Sequence, residues 1–360
     1  MIMAHVDPTT LKITREISRN DILLSVACPG DASRVFVGSS DARVYELDTT
    51  QEKPEPIAME GHQSYVTGLV QAGSMLISGS FDGTLIWWDL ETRQPVRTVD
   101  AHQKWIRQLA ISPDGRLLAS VADDMVCRVW KTSNGKLVHK LKGHAEKTPH
   151  HFPSMLYACG FSADGRLLAT ADRTGKAVIW DARKGKQLAT VEAPIMYTWD
   201  PKQRIHSIGG ARSVAFSPDG SLLAIGGTGT INNIDHLEAL SRIEIFDWEK
   251  GERTHEFAGD TYKGLVEQMV FHPENQWLLA AGGDHNGFIK FYDLDEKKII
   301  KQDKAPMHIH DLALNEAHDT IYAAGHGKLV VWQMESTPAG TDAHPGGEEK
   351  TPDDNASPSP

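Results

Sequence analysis

The stretch AHQKWIRQLAISPDGRLLASVADDMVCRVWKTSNGKLVHKLKGH, residues 101–144, decides the fold. It holds four short alternating or apolar runs, at 105–111, 117–121, 126–130 and 137–141. Between them lie Ser112-Pro113-Asp114-Gly115, Asp123-Asp124 and Ser133-Asn134-Gly135. Proline presets φ for a turn, glycine accepts φ > 0, and Asp or Asn bonds its own backbone two residues on. Runs rich in Val, Ile and Leu between such dividers read as strands. Four antiparallel strands of this size form one small sheet that needs neighbours for stability.

Those neighbours are in the same chain. The phrase SPDGRLLAS (112–120) returns as SADGRLLAT (162–170) and SPDGSLLAI (217–225). The third strand of each unit ends at Leu47, Trp88, Trp130, Trp180, Phe246, Tyr292 and Trp332, at spacings of 41, 42, 50, 66, 46 and 40 residues. Self-similarity at such a period is the signature of a repeat architecture.

On these residues the sequence resembles the WD-repeat β-propeller family. Trp88-Asp89 and Trp180-Asp181 match the dipeptide that names it, and Gly61-His62, Ala101-His102 and Gly143-His144 match its Gly-His signal. The resemblance covers roughly 11–334 and implies an all-β, seven-bladed propeller with four antiparallel strands per blade. The last repeat ends at Trp332 without an outer strand. The alternating LKITREI of 11–17 is expected to supply it from the N-terminus, closing the ring and removing sheet edges that would template aggregation. The expected organisation is an extension at 1–10, the propeller at 11–334, and an acidic Pro/Gly/Ser-rich disordered tail at 335–360.

Bulk properties narrow the function. Forty per cent hydrophobic residues and nine Trp support a real core. The net charge of −11 argues against tracking a phosphate backbone, so no nucleic-acid partner is expected. No apolar run approaches the roughly 18 residues of a membrane span, and no secretory signal is visible at the start. Three cysteines, Cys28, Cys127 and Cys159, do not make a disulfide framework. The expected location is cytoplasmic, the protein a monomer or a subunit of a larger complex, and no cofactor is expected.

Two repeats carry a complete polar set: His62, Ser78, Asp82 and Trp88, then His102, Ser120, Asp124 and Trp130. A His beside a Ser and an acid suggests nucleophilic catalysis. The resemblance implies instead a hydrogen-bonded network that stiffens each blade, so these residues are read as structural. The fourth repeat departs, with His144 and Thr170 in place but Thr174 at the Asp position and Asp172 displaced by two.

Three insertions, around 146–154, 193–210 and 228–241, fall on one end of the predicted propeller, over two adjacent blades. They carry His150, His151, Phe152, Met196, Tyr197, Trp199, Asn232, Asn233 and His236. Long loops on a rigid scaffold usually carry function; alternatively, Trp199 fills a gap above poorly capped blades. Strand alternation sends two residues per innermost strand toward the channel: Asp21 and Leu23, Tyr65 and Thr67, Trp105 and Arg107, Met155 and Tyr157, Gly210 and Arg212, Leu265 and Glu267, His308 and His310. Family members commonly bind peptides or proteins over this opening. The expected function is therefore a non-enzymatic scaffold that binds a protein or peptide partner through Tyr65, Trp105, Arg107, Tyr157, Trp199, Arg212, Glu267, His308 and His310. The alternative is a metal-dependent hydrolase using His308, His310 and Glu267, since His at i and i+2 of a strand can chelate an ion.

Overall fold

The computed structural model describes residues 5–30, 33–201, 206–232 and 239–337. Asp31, Asn233, His236 and most of the expected tail, 338–360, lie outside them. The described chain is all-β apart from one 3-10 turn at Pro194–Met196.

The reference stretch folds nearly as its pattern dictates. Ile106–Ile111, Leu117–Ala122, Cys127–Lys131 and Leu137–Leu141 make one antiparallel four-stranded sheet. Ser112-Pro113-Asp114-Gly115 closes the first turn: Gly115 N–H donates to the Ser112 carbonyl, and Ser112 Oγ donates to Asp114. Four more four-stranded sheets follow the same order. They start at Val66–Ala72, Leu156–Phe161, Ala211–Phe216 and Leu265–Phe271. A short hairpin, Tyr197–Asp200 with His206–Gly209, lies within the second insertion.

The remaining sheet has six strands, in the order Ile309–Leu314, Thr320–Thr337, His5–Ala27, Arg34–Ser39, Arg43–Asp48 and Ile57–Glu60. The expectation of seven separate four-stranded sheets is thereby corrected. Six blade-sized sheets surround the axis, because His5–Ala27 pairs with strands on both sides of the boundary expected between the first and last repeats and joins them in one sheet. His5–Ala27 pairs with Thr320–Thr337 from His5↔Thr337 to Ile22↔His326, then with Arg34–Ser39 from Leu23↔Ser39 onward. The pairing passes the expected limits of 11 and 334, since Val6 faces Ser336 and Asp7 faces Glu335. Inner strands follow one another around the axis, and the circuit closes where His5–Ala27 meets Ile309–Leu314. Asp311 fastens this closure by accepting the Val26 N–H at 2.9 Å.

The core lies between sheets. Ile77, Leu85 and Trp87 of one pack on Ile106, Leu109, Leu118 and Trp130 of the next. Trp87, Trp88, Trp277 and Trp332 are fully buried. Each such indole removes about 200 Å² from water, worth up to about 5 kcal/mol. Close approach requires glycine at one of the turns between strands: Gly83 has φ +84°, and a Cβ there would meet the His102 carbonyl oxygen at 2.4 Å. Its own carbonyl accepts the Ala101 and His102 N–H groups and so ties one sheet to the next.

Candidate functional site

In the blades, His62 Nε2 lies 2.7 Å from Ser78 Oγ, and Ser78 Oγ accepts the Trp88 indole N–H at 2.8 Å. His62 Nδ1 reaches Asp82 at 3.0 Å. The second set repeats this, with His102 to Ser120 at 2.7 Å, Trp130 to Ser120 at 2.9 Å and His102 to Asp124 at 3.1 Å. Both His rings are buried and both Ser hydroxyls have no exposure, so no substrate reaches them. Burial alone would raise the Asp124 pKa, but His102 and Arg128 outweigh it and bring it down to about 2. The fourth repeat has a full set after all. Asp172, from two positions earlier, reaches His144 at 2.7 Å, while Thr170 bonds both His144 and Trp180. Thr174 caps that carboxylate through its N–H and hydroxyl.

At the channel the alternation rule places the second residue of each pair well, whereas Leu265 and His308 are buried. Thr67, Arg107, Tyr157, Arg212, Glu267 and His310 line a central cavity of about 550 Å³ with Tyr65 and Phe81 at its rim. Leu23 is the exception. It is fully buried and Leu24 faces the cavity instead, because the strand has a bulge between Leu23 and Ser25. Asp21 is occupied by Arg19 and Ser39.

Two features dominate the mouth. The first is an aromatic ledge: Tyr65 stacks on Phe81 at 5.6 Å, and Phe81 on Trp105 at 4.6 Å with planes 5° apart. Trp105 is nevertheless 50% exposed and Tyr65 45%. Phe81 was not foreseen, because it comes from the turn between second and third strands. Beside the ledge, Arg107 is held bidentately by Asp123 at 2.8 and 2.6 Å, so its charge is neutralised. Arg212 differs. It lies 3.7 Å above the Tyr157 ring, donates only long bonds to the Gly209 and Ala211 carbonyls, and has no carboxylate salt bridge among the described residues. It also borders a groove of about 500 Å³ walled by Phe152, Pro153, Met155 and Ile208.

The second feature is a histidine cluster. The His308 and His310 rings stack at 4.5 Å, and His326 packs on both at 5.2 and 4.8 Å. Glu267 Oε1 faces His308 Nε2 at 3.4 Å. Burial opposes charging His308, but the Glu267 carboxylate outweighs it and its pKa is raised. Burial beside His308 pushes His310 down to about 3. His326 escaped the sequence reading because it too sits on a turn.

Trp199 is not part of the channel ring. It stacks on His150 at 4.3 Å and packs on Phe152 at 5.5 Å, and His150 also bonds the Tyr197 hydroxyl. Ile231 N–H donates to Thr198 Oγ1, so the three insertions fold on one another.

The family model for the WD domain, G-beta repeat, matches residues 55–89, 93–131, 135–181, 202–235 and 251–293. The chain belongs to the WD-repeat family. It is 31% identical over 195 residues to apoptotic protease-activating factor 1 of Rattus norvegicus, covering 54% of this chain and 15% of that protein. It is 25% identical over 279 residues to telomerase protein component 1 of Mus musculus, covering 77% and 9%. It is 34% identical over 142 residues to nuclear distribution protein PAC1-2 of Uncinocarpus reesii, covering 36% and 31%. This WD-repeat chain thus spans at most a third of these relatives' lengths.

Proposed function

We propose that this WD-repeat protein is a non-enzymatic scaffold that holds a protein or peptide partner over the channel mouth. The observation that carries this reading is the ledge of Tyr65, Phe81 and Trp105, stacked and held in place yet half open to solvent. Aromatic side chains with few rotors give large contact area at low entropic cost, and Tyr, Trp and Arg dominate interface energetics. Arg212, free of a salt bridge among the described residues and backed by Tyr157, suits a carboxylate of the partner. Arg107, Glu267, His308 and His310 surround that contact, whereas Trp199 stiffens the loop wall beside it. The matched regions are small parts of much longer relatives, one of them named as a component of telomerase, which fits a module that joins partners rather than a self-sufficient enzyme.

The finer architecture we infer is seven-bladed. Buried apolar side chains among the described residues form seven clusters. Six lie between neighbouring sheets; the seventh packs Tyr322, Ala324, Leu329 and Val331 against Val26, Val35, Val37 and Leu47 within the six-stranded sheet itself. That sheet therefore behaves as two layers sharing the long N-terminal strand. A cytoplasmic setting, as a monomer or a subunit of a larger complex, suits three cysteines that form no disulfide among the described residues.

The test is capture of partners from native extract with the full chain, identified by mass spectrometry. Replacing Tyr65, Trp105 and Arg212 by Ala should remove the captured proteins while the melting temperature stays near that of the wild type. Retention of the same proteins by a folded triple variant would overturn the assignment.

A further inference from the structure

The cluster of Glu267, His308 and His310 has an unresolved problem of chemistry. His308 Nδ1 lies 2.6 Å from the carbonyl oxygen of Asp284. A carbonyl only accepts, so Nδ1 must carry the proton, and in the neutral ring Nε2 is left with a lone pair. That lone pair faces Glu267 Oε1 at 3.4 Å, which is also a Lewis base. His310 Nε2 is buried with no hydrogen-bond partner among the described residues. The ligand atoms of Glu267, His308 and His310 lie within 4.8 Å of one another.

A proton on His308 Nε2 would reconcile it with Glu267 but leave His310 Nε2 unpartnered, and an orphaned buried polar atom is costly. A divalent cation between the three satisfies all of them at once. We propose that Glu267, His308 and His310 form a binding site for a borderline divalent metal ion, Zn²⁺ in the first instance. Two imidazoles and one carboxylate are a nitrogen-rich set that suits zinc and disfavours the oxygen-seeking Mg²⁺ and Ca²⁺. The Nδ1–H bond from His308 to a backbone carbonyl is the outer-shell arrangement that fixes the tautomer of a ligating histidine. Three protein ligands leave a fourth position, and Glu267 and His310 both border the central cavity, so that position opens to the channel. Glu267 comes from Leu265–Phe271, His310 from Ile309–Leu314 and His308 from the residue just before that strand, so the ion ties neighbouring inner strands next to the ring closure. The proposal does not depend on the partner reading above.

The full-length protein, stripped with chelator, is titrated with Zn²⁺ in a calorimeter, with Mg²⁺ as control and Co²⁺ as a spectroscopic substitute. One Zn²⁺ per chain is expected, together with a visible Co²⁺ absorption band, a raised melting temperature and no response to Mg²⁺. Glu267→Gln and His310→Gln should each weaken Zn²⁺ binding by at least the roughly 100-fold seen for loss of an outer-shell partner, and abolish the Co²⁺ band. Melting each variant in chelator separates lost binding from lost fold: both should melt within a few degrees of the chelated wild type. Should either variant fail that control, His308→Asn takes its place. Zn²⁺ binding that is absent in the wild type, or unchanged in a folded variant, overturns the site.

Discussion

His62 and His102 in the blades, and His308 and His310 at the channel, bring together the same two chemistries, imidazole and carboxylate, with opposite results. In the blades both ring nitrogens have partners: an acid on Nδ1, and on Nε2 a serine that also takes a tryptophan N–H. At the channel one ring nitrogen faces a base and another faces nothing among the described residues. A satisfied polar network adds rigidity and leaves no valence for a ligand, whereas an unsatisfied one, beside open space, is where binding belongs. Residue type alone does not separate the two. The count of partners does.

The sharpest way to break this comparison is through the blades' indoles. Trp88→Ala removes a fully buried ring and the N–H that Ser78 Oγ accepts, so it should cost about 3–5 kcal/mol in urea unfolding. His326→Ala, which removes a ring from the channel cluster, should cost less than about 1 kcal/mol. Equal losses would mean that the channel histidines are core after all.

A smaller effect separates the hydrogen bonds themselves. Ser120→Ala leaves His102 Nε2 and the Trp130 N–H buried and unpaired, which should cost roughly 2–4 kcal/mol. His310→Gln in the presence of chelator orphans no partner of its Nε2, so its unfolding midpoint should stay within about 0.5 kcal/mol of wild type.

Acid unfolding probes the same sets. Burial holds the His102 pKa below its ordinary 6.5 in the fold, with Asp124 opposing. The unfolded chain then takes up more protons as the pH drops below about 6.5, and stability falls. Asp124, at about 2 against an ordinary 3.8, contributes stability that is complete above about pH 4 and is lost as the pH falls toward 2. Asp124→Asn should therefore lose about 2 kcal/mol less than wild type between those limits, measured from urea midpoints across the pH series.

How far the sequence carries depends on which residues do the work. The polar sets of the second and third repeats are legible because the Ser and the Asp sit ten and six residues before a Trp and a His precedes each innermost strand. Asp172 is not legible by offset, since a turn lets its carboxylate reach His144 from two positions back. Leu24 replaces Leu23 in the channel through one bulge, which no periodicity announces. Phe81 and His326 come from turns between second and third strands, where no alternation applies, and Trp199 is placed by loops that fold on each other. The division into sheets depends on whether the long N-terminal strand breaks between its two partners, and local pattern does not encode that.

The smallest expected effect on stability belongs to the ledge. Trp105 rests on Phe81 and within reach of the Arg107 guanidinium, but half its surface is open. Trp105→Ala removes little buried area and leaves Arg107 on Asp123, so unfolding should shift by no more than about 0.5 kcal/mol. Loss of a central aromatic anchor in an interface costs about 2 kcal/mol or more in binding. The same substitution should thus be nearly silent in a melt and large in partner capture. If the melt shifts by as much as for Ser120→Ala and capture is untouched, the ledge is blade packing that happens to be exposed, and its residues belong with the satisfied sets.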